Sequence, residues 1–152
     1  MLTAAQGAAV TKGTGGSQSK EWEMENHQIN TGHGKRLASL VREDGTECWD
    51  LERISLFYII AGNEDLYRRR NAIYDFNERC IKTHLRDGSE DFPSGQRSLI
   101  KLGFNLFNGY REDCMTPMDL FWNLNNRNTR IAHDAIGLRF STLGAAILET
   151  YV

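Results

Sequence analysis

Between Leu99 and Phe107 large apolar side chains stand at Leu99, Ile100, Leu102, Phe104, Leu106 and Phe107, six of nine consecutive positions. Read as a helix, this run is apolar nearly all round and belongs at the centre of a core. A chain with such a segment must build the rest of its fold as a cover for it. Asn108-Gly109 closes the run with the residue type favoured in the left-handed position after a helix.

The flanking sequence predicts that cover as further helices. Asp50 can cap a helix in which Leu51, Ile54, Phe57, Tyr58 and Ile60 recur at helical spacing, and Gly62-Asn63 stops it. Asn63 offers a second cap, with Glu64 and Asp65 in the first turn where negative charge suits the macrodipole. From there Leu66, Tyr67, Ile73, Tyr74 and Phe76 continue toward His84. Phe92-Pro93-Ser94-Gly95 is a loop with Ser94 as a cap, and Thr116-Pro117-x-Asp119 is an N-cap, a Pro at the first helical position and a capping acid. A last helix covers about Asn126 to Phe140, with Ile131, Ala135 and Leu138 on one face and Asn126 or Asn128 as its cap. Leu37, Leu40 and Val41 fit a short helix, while Asp44-Gly45 fits a hairpin turn equally well, so helix and hairpin both remain open for 36–49.

The expected fold is therefore all-α: a compact bundle of about five helices over a single domain, 35–152, preceded by a flexible low-complexity arm, 1–34, rich in Gly, Ala, Ser and Thr. Lys plus Arg is 18 against 20 Asp plus Glu, a balance that supplies no bulk electrostatic drive toward nucleic acid or an acidic membrane. No apolar stretch approaches the roughly 18 residues that span a bilayer. Residues 1–19 carry Lys12 mid-segment and build no apolar core of a signal peptide. Cys48, Cys80 and Cys114 are odd in number and far apart, which points to reduced thiols and a cytoplasmic setting.

Glu52 to Tyr67, Ile73-Tyr-Asp-Phe76, Leu99 to Gly109 with its Phe-Asn-Leu-Phe-Asn-Gly block, and Ala135-Ile-Gly-Leu-Arg-Phe140 together resemble a family of small uncharacterised helical proteins of Firmicute genomes and mobile elements. The resemblance spans roughly 50–140. It implies a bacterial or phage setting and a helical fold, and it brings no activity or functional residues with it.

Arg127-Asn128 and His133 look like the Arg-Asn…His signature of helical HEPN ribonucleases. There the arginine would stabilise charge developing on a phosphate while the histidine acts as acid or base. On one ideal helix a six-residue step leaves Arg127 and His133 about 120° apart. A working site would then need Arg127 ahead of the helix, or a second subunit.

Other constellations are incomplete. Cys80 and His84 make half a zinc site, with His27 and His33 as distant completions; Glu43, Asp44, Glu47 and Asp50 form an acidic turn; and Gly32-His33-Gly34-Lys35 lacks the Ser or Thr a phosphate loop requires. No metal and no cofactor are expected.

Arg68, Arg69, Arg70, Arg79 and Lys82 are the candidate partner-binding cations. The first functional expectation is thus a non-enzymatic protein-binding module of phage or mobile-element origin, an inhibitor of a host defence nuclease in the manner of anti-CRISPR proteins. Its partner would be a protein or a nucleoprotein defence complex, with direct nucleic-acid contact left open and no membrane involved. The alternative is a metal-independent HEPN-type ribonuclease or toxin, acting as a homodimer through Arg127, Asn128 and His133.

Overall fold

The computed structural model describes residues 31–83 and 91–140 of the 152-residue chain. Helix α1 covers 31–44, α2 Leu51–Gly62, α3 Glu64–Arg68 and α4 Arg70–Ile73. A two-stranded antiparallel hairpin follows, β1 Tyr74–Asp75 and β2 Cys80–Ile81, with Tyr74 opposite Ile81. Helices α5 Ser94–Asn108, α6 Pro117–Phe121 and α7 Asn126–Phe140 complete the described residues. The fold is all-α apart from this hairpin. The described residues hold seven helices rather than five, because 31–44 is helical and two short helices, α3 and α4, replace the single one expected from Asn63 toward His84.

The bundle is organised around α2, not around α5 as the apolar run suggested. Every residue from Ile54 to Gly62 is buried. Ser55, the polar residue inside that stretch, satisfies itself by donating its hydroxyl to the Leu51 carbonyl. Helices α1, α5 and α7 all lie antiparallel to α2. Asp44 meets Arg53 while His33 meets Tyr58; the Arg53 guanidinium lies over the Phe107 ring; and Arg139 pairs with Glu52 while Gly62 abuts Ile131. The last contact needs glycine: a Cβ at 62 would stand 2.9 Å from Ile131 Cδ1. Helix α5 lies on the surface, since Arg97 is exposed and Lys101 and Asn105 are only half-buried on one flank while Leu99, Ile100, Leu102 and Phe104 face inward.

Local chemistry sets most boundaries. Asp50 Oδ1 accepts from Arg53 N, Asn63 Oδ1 from Asp65 N and Leu66 N, and Thr116 and Asp119 form a reciprocal capping box. Gly109 ends α5 at φ 75°. Three features differ from expectation: the extent of α1, the caps of α5 and α7, and the chain after Ile73. Helix α1 settles the choice over 36–49 and already includes 31–34, which had been placed in the arm; residues 1–30 lie outside the described residues. The cap of α5 is Pro93, without a side-chain bond, and that of α7 is Asn125, whose side chain accepts from Asn128 N.

The third difference is the hairpin, where one helix was expected to run from Asn63 toward His84. Tyr74 adopts extended backbone, φ −134°, which carries its ring into the core beside Phe57 and Phe76. Asp75 then accepts from Asn77 N and Glu78 N, and Arg79 turns the chain at φ 54°.

Candidate functional site

Ser94, Arg97, Ser98 and Lys101 stand at i, i+3, i+4 and i+7 on α5 and so share one face. They form one wall of an open groove of about 460 Å³. The other wall is Met118, Asp119, Leu120, Trp122 and Asn123, from α6 and the turn after it, and Cys114 contributes from the preceding loop at φ 60°. The capping box and Pro117 hold α6 in place although it is only five residues long. Trp122 is 75% exposed and Met118 65%, so the apolar wall faces solvent. Hydrogen bonds from the Thr116 hydroxyl and backbone N–H, with Lys101 nearby, keep the Asp119 carboxyl below the usual carboxylate range. Lys101 is held by Glu112 at 2.5 Å. The sequence marks Ser94 and Asp119 only as helix caps and Cys114 only as a thiol, and it proposes none of the groove residues as a binding site, although the polar stripe on α5 stands at helical spacing.

The sequence-predicted residues lie elsewhere. Arg127 donates to the Gly62 carbonyl at 3.2 Å, and buried Asn128 pairs with Asn63. His133 packs against Phe121, ring centroids 5.3 Å apart, while the neighbouring Asp134 accepts from the Tyr58 hydroxyl. Two of the three candidate ribonuclease residues thus tie α7 to the C-terminal end of α2, and the third faces α6.

The five basic positions all find partners within the chain. Arg68 and Arg69 pair with Asp65, Arg70 with Glu43, Arg79 with Asp44 and Lys82 with Asp75. Arg69 also lies 3.7 Å above the Phe92 ring. Within the acidic turn, Asp44 is buried and Asp50 is bound to Arg53. Cys80 stands on β2 rather than on a helix, and His84 and His27 lie outside the described residues. No group of three or more metal-ligating side chains occurs among the described residues, and none of their helices is long and apolar enough to cross a membrane.

At the far end of α2, donors from two other helices meet its last carbonyls. His33 Nε2–H donates to Tyr58 O at 2.9 Å and Arg36 Nε to Ala61 O at 2.6 Å, beside the Arg127 bond. Burial, chiefly, pushes the His33 pKa down to about 4, helped by Arg36 and Arg127 and opposed by the Tyr58 carbonyl. A base with a lowered folded-state pKa is neutral in the fold while the unfolded chain takes up a proton. Stability is therefore complete above about pH 6.5 and falls as the pH drops toward 4, by about 3 kcal/mol in all. Urea unfolding between pH 7 and pH 4.5 will show this slope in the wild type and a flatter one in His33→Gln; equal slopes would contradict it.

A family model matches residues 24–146, and it describes a family of unknown function, DUF6075. Neither the curated proteins nor the solved structures yield a match to the chain.

Proposed function

The chain belongs to this family of unknown function, and we propose from its own surface that it is a non-enzymatic protein-binding module that seats a partner in the α5–α6 groove. One observation carries the reading: a tryptophan and a methionine stand largely in solvent beside an exposed arginine, along a groove between two helices. Those three residue types are the ones enriched where protein surfaces meet, and an aromatic side chain left in water gains most from being covered. The groove gathers no set of titratable groups arranged for proton transfer: its one carboxylate is engaged in capping α6.

The test compares two tryptophans of equal exposure, one bordering the groove and one outside its lining. Trp122 borders the groove and Trp49, also 75% exposed, lies in the α1–α2 connection. Tagged wild-type protein should capture one equimolar protein from host extract; Trp122→Ala should lose it and Trp49→Ala keep it. Absence of an equimolar partner, or capture that survives Trp122→Ala, overturns the proposal. The narrower form, in which the partner is a host defence nuclease or its nucleoprotein complex, requires the captured protein to be one and its cleavage to stop when the chain is added. The ribonuclease alternative gains no support from the surroundings of Arg127, Asn128 and His133, because the first two are engaged in holding α7 on α2.

A further inference from the structure

The charges of the groove differ in what they are free to do. Lys101 is bound to Glu112, and the Asp119 carboxylate accepts two hydrogen bonds from Thr116. Arg97 is exposed, and its side chain has no hydrogen bond or ion pair among the described residues. Its planar guanidinium therefore keeps its whole fork of donors for an outside acceptor, and the geometry of that fork matches a carboxylate. Across the groove stand Met118 and Trp122, apolar and exposed.

From Ser94 to Lys101 the α5 wall spans seven residue steps, or about 10 Å at 1.5 Å per residue. An extended chain covers that length in about three residues.

Building on the protein-binding reading, we infer that the groove takes a linear partner segment in which an aromatic or long aliphatic side chain lies within about three residues of an Asp or Glu. The apolar side chain enters between Met118 and Trp122, and the carboxylate meets Arg97. A nucleic-acid strand is the poorer fit, for it would need a row of uncompensated cations and the groove has one in a chain of net charge −2.

Panning a display library of random linear peptides against the full chain tests this directly. The enriched peptides should share an aromatic or aliphatic residue next to an acid. A fluorescein-labelled consensus peptide should bind the wild type, and Arg97→Glu or Trp122→Ala should each weaken it by about tenfold or more. Arg97→Lys should retain part of the affinity, and raising salt from about 0.05 to about 0.5 M should weaken the wild type alone among the Arg97 and Arg97→Glu proteins.

Both side chains are on the surface, so circular dichroism of the variants should match the wild type. No enrichment, a basic consensus, binding unaffected by Arg97→Glu, or displacement of the peptide by a single-stranded oligonucleotide overturns the inference. A captured protein that is lost on Trp122→Ala while no peptide binds would leave the protein-binding reading standing and remove this one.

Discussion

Replacing Asp44 with alanine will lower the unfolding free energy by about 3 kcal/mol. Its buried carboxylate accepts from the Tyr74 hydroxyl at 3.0 Å, from Arg79 Nη2 at 3.0 Å and from the Thr46 hydroxyl at 2.5 Å, and Arg53 lies 3.7 Å away. Truncation leaves the buried Tyr74 and Thr46 hydroxyls without an acceptor. Arg79, 44% exposed on its side chain, simply returns to water, and Arg53 keeps Asp50. The effect therefore belongs near the lower end of the range for a broken buried ion pair, and Arg79→Ala should cost much less than Asp44→Ala.

The acid limb of stability changes as well. Burial works to raise the Asp44 pKa, but the bonds from Arg79, Thr46 and Tyr74 outweigh it and hold the carboxyl below its ordinary value. Stability from this group is present above the unfolded carboxylate pKa and is lost as the pH falls through the folded one. This window lies below that of His33, so Asp44→Ala should flatten the curve below about pH 4 and His33→Gln the curve above it. An unfolding free energy from urea titration that for Asp44→Ala stays within about 1 kcal/mol of the wild type would show that the carboxylate does not fasten the hairpin.

Phe57→Ala should destabilise by about 4 kcal/mol. The side chain is fully buried on α2, edge-on to Tyr74 at 5.1 Å between ring centroids and stacked with Phe76 at 5.9 Å. Its removal opens a cavity between the central helix and the hairpin, and Tyr74 cannot collapse into it without releasing its hydroxyl bonds to Asp44 and Arg53. Tyr74 is held by Phe57 on its face and by Asp44 and Arg53 at its hydroxyl. The double variant Phe57→Ala/Asp44→Ala should thus fall short of the sum of the singles by about 1 kcal/mol. Strict additivity would mean that the two contacts support the hairpin independently.

How far the fold could be read in advance depended on the range of the interactions. The caps at Asp50, Asn63 and Thr116-Pro117-Asp119 and the stop at Gly109 bond within three or four residues, so their spacing announced them. The hairpin did not announce itself, because Ile73, Tyr74 and Phe76 suit a helix locally. What extends the chain there is the reach of Tyr74 to Asp44, thirty residues earlier.

The identity of the central helix was hidden for a related reason. Glu52, Arg53 and Ser55 make the start of α2 look polar, yet the charges sit outside the buried stretch and Ser55 bonds to its own helix. On α5 the dense apolar run from Leu99 to Phe107 outweighs the shorter polar stripe from Ser94 to Lys101, and the groove's other wall comes from α6, distant in sequence from that stripe. Arg127 and Asn128 suggested catalysis by residue type, whereas their partners at Gly62 and Asn63 became visible only once α2 and α7 were side by side.

With nine consecutive residues of α2 enclosed by α1, α5 and α7, the amide protons along Ile54–Gly62 have no small local opening through which to reach solvent. Their exchange with deuterium must wait for the whole molecule to come apart, which makes this one helix a built-in gauge of total conformational free energy. A ligand added to the distant groove would slow these same protons by the factor that its binding stabilises the folded state, so occupancy at the surface can be followed from the innermost helix.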